Sequence, residues 1–342
     1  MAADQATPSG ASARTPVTLI TGFLGAGKTS LVNHLLAHTK EPLAVVVNEF
    51  GDLGIDGSLV VASEEDLIEL KSGCICCTLR GDLVEALERL DRRRRRLLRP
   101  TRFTRVLIEC SGLATPGPVA TTLLAHPGLR ATFELDGTIC LLHAALARQQ
   151  LADHVEAEQQ VALADLLLIN HTDRASEHEL AALEADLAVR QPFAPRVRCT
   201  AAAVAPALLF GLCAERPERW TLATNEFRGA LTPGLAPQPA LAAPTHGSTP
   251  DLIALQSDRP LDLAALRLWV AFLLERRGLD IWRLKAFLRC KDHSAPVVVQ
   301  AVGRYLELGP GQGPAPTTSR LVAIGRGLNA AEFTRGWHAL ER

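Results

Sequence analysis

The densest chemistry in the chain lies in Gly22-Phe23-Leu24-Gly25-Ala26-Gly27-Lys28-Thr29, which fits the spacing G-x-x-x-x-G-K-[ST]. The glycines allow a tight turn whose backbone N–H groups, from Gly22 through Ala26 and on to Ser30, face a phosphate, and the following helix N-terminus adds its positive end. Lys28 is placed to reach β- and γ-phosphates, and the Thr29 hydroxyl to hold Mg²⁺. The motif has this meaning only between a strand and a helix. The apolar run Val17–Ile20 before it and the helical pattern Lys28–Ala37 after it supply that context.

Two more strand ends carry polar groups. Val106-Leu107-Ile108 runs into Glu109, Cys110, Ser111 and Gly112. A carboxylate there acts on a Mg²⁺ shell or orients water, and a glycine there lets a backbone N–H approach a γ-phosphate. After the strand Leu166–Ile169 comes Asn170-His171-Thr172-Asp173, where P-loop GTPases carry Asn-Lys-x-Asp. The Asp173 carboxylate can accept two hydrogen bonds from guanine N1–H and its 2-amino group, a pair adenine does not offer. Asn170 braces the loop. His171 replaces the lysine whose stem would cover the base, and an imidazole can stack in its place.

A third chemistry is sulfur. Cys74-Ile75-Cys76-Cys77 presents three thiols from one short loop. Their repulsion as thiolates is relieved by a soft divalent ion such as Zn²⁺, with a further ligand needed from elsewhere. An incomplete set suits a site that releases its metal. The chain's remaining cysteines stand singly in apolar surroundings, as in a reducing compartment.

The elements that must position these groups alternate. Strands are expected at Val17–Ile20, Leu43–Val47, Leu67–Leu70, Arg105–Ile108, Gly137–Leu142 and Leu166–Ile169, and helices at Lys28–Ala37, Leu79–Arg95, Pro118–Ala125, Val155–Ala164 and Glu177–Val189. That alternation predicts an α/β fold, a P-loop NTPase with a mainly parallel sheet whose ligands gather at the strands' carboxyl ends. Gly229–Pro250 holds five prolines, three glycines and no charged residue, the composition of a linker. Beyond it, strands at Leu252–Leu255, Ile281–Leu288, Val297–Val302 and Leu321–Ile324 and helices at Leu261–Glu275 and Asn329–Leu340 predict a smaller α/β domain with a mainly antiparallel sheet. The expected organisation is a disordered tail at 1–15, a nucleotide domain at 16–228, a linker at 229–250 and a second domain at 251–342.

Bulk properties exclude several classes. With 47% apolar residues, 21% charged residues and a net charge of −1, the 342-residue chain has no electrostatic case for nucleic acid or an anionic membrane. The run Arg92–Arg96 lacks interleaved aromatics and reads as a solvated helix end or a docking patch for an acidic partner. No signal peptide and no run long enough to span a bilayer is expected, which points to the cytoplasm.

Taken in order, Thr21–Thr29, Asn48-Glu49-Phe50-Gly51, Gly54–Gly57, Gly73–Cys77 and Glu109–Pro116 resemble the CobW-type metal-chaperone GTPases. The resemblance covers residues 16 to 200 with specific motifs. It implies slow GTP hydrolysis with Mg²⁺, in which Lys28, Glu49 and Glu109 act, and nucleotide contacts from Gly22, Gly25, Ala26, Gly27, Lys28, Thr29, Ser30, Gly112, Asn170 and Asp173. It places Asn48, Glu49 and Asp52 in a first switch region, with Asp52 and Thr29 near metal, and Glu109 and Gly112 in a second. It implies binding of zinc or cobalt by Cys74, Cys76 and Cys77 and delivery to a client apo-metalloprotein, with a homo-oligomer conceivable. The family often has Val-Asp-Ala where this chain has Leu142-His143-Ala144, so His143 is either a ligand or a structural histidine. Competing readings are a metalloenzyme assembly factor that carries no metal, a P-loop kinase or ATPase, and a thiol redox sensor using Cys76 and Cys77.

Overall fold

The structure, a computed structural model, describes residues 14–48, 57–61, 67–70, 78–96, 102–212, 250–311 and 313–341, with backbone alone at 48, 57–61, 67–70, 78–80 and 82. The first sheet is built from β1 (Thr15–Gly22), β2 (Leu43–Asn48), β3 (Gly57–Val61), β4 (Leu67–Leu70), β5 (Arg105–Cys110), β6 (Phe133–His143), β7 (Leu166–Asn170) and β8 (Arg196–Arg198). Its order is β4-β3-β2-β5-β1-β6-β7-β8. The six strands from β2 to β8 in that order are mutually parallel, while β3 and β4 form an antiparallel margin.

Both faces of the parallel part are covered, which is why its strands read as continuous apolar runs. Val17 and Leu19 of β1, with Val106 and Ile108 of β5, face α2 (Thr78–Arg94) and α3 (Gly117–Ala125). Ile20 and Leu107 point the other way, onto Leu31 and Leu35 of α1 (Lys28–His38). The period of two along each strand thus sorts one sequence onto two helix layers. Four more helices complete this half: α4 (Pro127–Thr132), α5 (Ala147–Asp153), α6 (Val155–Ala162) and α7 (Glu177–Arg190). A capping box, with Ser176 Oγ accepting from Glu179 N and Glu179 accepting from Ser176 N, starts α7. Arg92, Arg94 and Arg95 lie at the end of α2 and its flank, where Glu88 pairs with the first and Asp91 with the other two, and the helix dipole favours cations.

The second half is a five-stranded antiparallel sheet, β12-β11-β10-β13-β9, made of β9 (Asp251–Ser257), β10 (Ile281–Leu288), β11 (Val297–Val302), β12 (Tyr305–Pro310) and β13 (Ser319–Gly325). Helices α8 (Leu263–Arg277) and α9 (Ala330–Ala339) cover one face through Leu266, Val270, Phe333 and Trp337. The fold class is the one expected from the sequence. The differences are local. Asp262 accepts a hydrogen bond from Ala265 N, so α8 starts at Leu263 and not at Leu261, which instead bridges to Cys290. Asn329 caps α9 and lies outside it. Strands β3, β8 and β12 and helices α4 and α5 were not expected; β8 and the edge strand β12 are only part-buried and show no alternation to read.

The halves are joined by buried charge. Asp165, just before β7, accepts hydrogen bonds from Thr138 N at 3.0 Å, from Arg283 at 2.5 Å and from Lys285. Arg283 also donates to Leu163 O. Seven residues earlier, Glu158 on α6 pairs with Arg190 at 2.8 Å and with Arg326 of the second half at 3.0 Å. Ala162 packs against Trp282, Val322 and Ile324 between these pairs.

Burial acts to raise the Asp165 carboxyl, but the charges of Arg283 and then Lys285, with their hydrogen bonds, outweigh it and hold the group far below the usual carboxylate range. Arg283→Ala, which leaves Asp165 with Lys285 as its one cation among the described residues and removes the donor to Leu163 O, is expected to lower stability by about 1–3 kcal/mol in urea unfolding. Because the folded pKa is depressed, the contribution of Asp165 is present above the unfolded value and lost as pH falls through the folded one. The stability gap between wild type and Asp165→Asn should therefore hold steady above about pH 5 and shrink below about pH 4.

Candidate functional site

The parallel strands end together. Glu109 on β5 lies level with Ile20 on β1 and Val47 on β2, Gly22 with Leu141, and His143 with Asn170. The turn between β1 and α1 is left-handed at Gly25 (φ 76°) and Gly27 (φ 98°), conformations that a Cβ resists. Close approach adds a second reason at Gly27, where a Cβ would collide with Asn170 Nδ2. At Gly112 a Cβ would come within 2.6 Å of Leu24 Cδ2 and 3.0 Å of Leu24 N. The phosphate loop and the Gly112 turn therefore lie against each other with room for backbone alone.

Lys28 Nζ donates to the carbonyls of Gly22 (2.9 Å) and Phe23 (3.3 Å), which holds the ammonium over its own loop. Thr29 Oγ1 donates to Glu109 Oε1 at 2.7 Å, and Glu109 is buried. A hydroxyl and a carboxylate side by side next to a phosphate cradle are the oxygen donors Mg²⁺ takes, so these residues fit that ion. Ala26 is buried at the loop's centre, and Ser30 is exposed on the first turn of α1.

Asn170 is fully buried and braces three segments. Its Nδ2 donates to Ala26 O at 2.9 Å, and its Oδ1 accepts from Ala202 N at 2.9 Å and from the Cys199 thiol at 3.6 Å. Next to it His171 has φ 59°, a left-handed conformation that His tolerates better than most residues. Its ring stacks on that of His143 with centroids 4.6 Å apart. Ala145 N donates to His143 Nδ1 at 3.3 Å, and burial, then the charges of His171 and Arg174, push the His143 pKa below its ordinary value. The lowered pKa favours the neutral imidazole, and His143 backs His171 as one half of a stacked pair. Asp173 lies exposed in a single 3-10 turn, Thr172–Arg174, and α7 begins only at Glu177.

Two groups at this end of the sheet escaped the sequence reading. The turn after β8, Cys199 to Ala203, closes over Asn170 with Ala201 and Ala202 both at positive φ (52° and 56°), and Thr172 Oγ1 ties to it through Cys199 O and Thr200 Oγ1. Strain of about 1–3 kcal/mol per such residue is the kind that collects at ligand sites. Gln160, buried on α6, donates to Gly112 O and Ala114 O. The readable signals were four small residues in a row after a short strand and a glutamine on an apolar helix face.

Of the other expected site residues, Glu49, Phe50, Asp52, Cys74, Cys76 and Cys77 lie outside the described residues, as does the side chain of Asn48. Among the described residues no group of three or more His, Cys, Asp or Glu side chains could hold a metal ion. Cys110, Cys140, Cys199 and Cys290 are buried free thiols, and burial pushes Cys110 and Cys140 up to about 12, so they stay protonated. Among the described residues no helix is long and apolar enough to cross a membrane.

A phosphate loop at the end of a parallel sheet, a buried carboxylate on its Thr29 and an Asn170/Asp173 loop beside it define a P-loop nucleotide-binding protein of the GTPase type. Residues 16–198 match the family CobW/HypB/UreG, nucleotide-binding domain, and residues 251–341 match the cobalamin synthesis protein cobW C-terminal domain. The chain belongs to this CobW family of P-loop GTPases. A zinc chaperone CobW of Pseudomonas aeruginosa is 30% identical over 96% of this chain and 92% of its own length. The zinc chaperone YjiA of Escherichia coli is 39% identical, but that match covers 48% of this chain and only about half, 51%, of the relative. The crystal structure of Zn(II)-bound YjiA GTPase from E. coli superposes with a TM-score of 0.68 at 26% identity, covering 97% of this chain and all of that one (100%).

Gly27→Ala should weaken binding of a fluorescent guanine nucleotide by about tenfold or more, since it meets both a left-handed φ and the Asn170 amide. Titration of labelled GDP against wild type and variant measures it.

Proposed function

We propose that the chain is a GTP-hydrolysing metallochaperone: it binds a thiophilic divalent metal, Zn²⁺ in the first place and Co²⁺ otherwise, at Cys74, Cys76 and Cys77, and passes it to a client apo-metalloprotein under nucleotide control. The observation that carries this reading is that one sheet spans both chemistries. Strand β4, which leads into the cysteine loop, is hydrogen-bonded through β3 and β2 to β5, whose Glu109 holds Thr29 of the phosphate loop. A change at the γ-phosphate end therefore has a covalent and hydrogen-bonded route to the thiols. The zinc named in the relatives supports the choice of metal.

In this reading Lys28 leaves its loop carbonyls for the β- and γ-phosphates, exchanging one set of acceptors for a charged one. Backbone N–H groups of Gly22, Gly25, Ala26, Gly27, Thr29 and Ser30 cradle the phosphates, and Gly112 N–H faces the γ-phosphate. Thr29 and Glu109 hold Mg²⁺, which neutralises charge on the phosphate oxygens. Glu109, with Glu49 from the first switch region, orients the attacking water, and Asp52 is assigned to metal. Asp173 accepts from the guanine edge, and the His171–His143 stack supplies the flat surface a lysine stem gives elsewhere. Hydrolysis is slow, since no arginine finger is identifiable, and a second copy or the client supplies what is lacking. Among the described residues the surface offers no argument for nucleic acid or membrane, and the cytoplasm is the assigned compartment.

The test is Zn²⁺ affinity by competition with a chromophoric chelator, with Mg²⁺ and either GDP or a non-hydrolysable GTP analogue. Wild type should bind at least about tenfold more tightly with the GTP analogue, a coupling within the usual range, and Cys76→Ser should lose that binding. Equal affinities in the two nucleotide states, or an unaffected variant, would overturn the carrier reading and leave a GTP-dependent assembly factor that holds no metal itself.

A further inference from the structure

Helix α6 touches three parts of the molecule at once. At its start His154 stacks on Phe23 of the phosphate loop, with centroids 4.5 Å apart, and from the middle of α5 Gln150 donates to Leu24 O. At mid-helix the Gln160 side chain, 1% exposed, donates to Gly112 O at 3.0 Å and to Ala114 O at 2.9 Å. On its outer side Glu158 holds Arg326, and Ala162 packs on Trp282. The helix C-terminus is fastened in turn: Gln191 Nε2 donates to Ala162 O at 2.7 Å and Ala164 O at 3.2 Å, and Arg283 of β10 donates to Leu163 O. Asp165, the next acidic residue, is clamped by Arg283 and Lys285.

A glutamine in such a place has a cost that packing alone does not repay. Both partners of its amide nitrogen are carbonyls on one turn, and its Oε1 has no hydrogen-bond partner among the described residues. A methionine would fill the same volume without stranding an acceptor. What the amide adds is a fixed distance between α6 and the Gly112 turn, the turn already packed against Leu24 with no room for a Cβ.

We propose that Gln160 is a positioning residue that ties the Gly112 turn to α6, and that α6 carries the state of that turn to the second half of the chain through Glu158–Arg326 and Asp165–Arg283. The inference rests on the reading of Gly112 as the residue facing the γ-phosphate. It assigns to the antiparallel domain a nucleotide-dependent placement with no nucleotide contact of its own. Helix α6 moves as a unit because both its ends are fastened, so a shift at Gly112 appears at Trp282, which lies in the seam with Arg326 5.8 Å from its ring centroid.

The experiment compares wild type with Gln160→Met, in Mg²⁺, using fluorescently labelled GDP and a labelled non-hydrolysable GTP analogue. The expected result is that the variant keeps its GDP affinity and binds the GTP analogue about tenfold more weakly, because only the γ-phosphate engages the turn that these two neutral hydrogen bonds hold in place. A purely structural glutamine would weaken both nucleotides alike or neither, and either result overturns the proposal. The second measurement uses wild type alone: tryptophan emission should differ between the GDP and GTP-analogue complexes, and Trp282→Phe should abolish the difference. Identical emission in the two complexes, or a difference that survives Trp282→Phe, also overturns it. If wild type binds neither nucleotide, the GTPase reading itself falls; if wild type discriminates and Gln160→Met discriminates equally, only this inference falls.

Discussion

The side-chain amide of Asn170 is the constraint around which the nucleotide end of the molecule is arranged. It is fully buried, it donates to the phosphate loop at Ala26, and it accepts from the turn that follows β8. A buried amide bonded at both its nitrogen and its oxygen defines one geometry, because a displacement leaves a polar atom unpaired in a low-dielectric setting. Through this one group the loop after β1 and the turns after β7 and β8 are held in a single arrangement. Gly27 has no side chain where Asn170 arrives, and His171 takes a left-handed backbone to turn away from it.

A comparable logic joins the two halves, with charge in place of the amide. Asp165 and Glu158 are nearly inaccessible, and each is shared by two cations, one or both from the C-terminal half. Buried pairs of this kind add little net stability over apolar packing but heavily penalise being separated. They therefore define the seam between the sheets more than they strengthen it. Since Glu158 lies on α6 and Asp165 just before β7, which ends at Asn170, the seam and the nucleotide end share one segment of chain.

The phosphate loop, the carboxylate at Glu109 and the Asn170/Asp173 pair could be read directly because each is a local pattern at a strand end, and a parallel α/β sheet brings strand ends together whatever else the chain does. The apolar runs of β1, β5 and β7 were equally plain, being buried on both faces. Strands β8 and β12 were not, since a part-exposed strand of mixed residues has no period to count. The role of His143 was open in the sequence for a related reason: a lone histidine after a strand is a ligand or a structural group depending on a neighbour, and the register of β6 on β7 supplies His171 as that neighbour.

The residues by themselves determined the family, the nucleotide chemistry and the succession of a mainly parallel and a mainly antiparallel sheet, because those depend on short motifs and on hydrophobic period. Only the tertiary structure decided that Gln160 meets the Gly112 turn, that Ala202 closes on Asn170, and that Arg283, Lys285 and Arg326 converge on α6 and β7. Each of those contacts joins residues about 30 to 170 positions apart. Nothing in local composition encodes such a partner; it is chosen by the packing of whole elements, and the polar groups then mark where that packing has brought them.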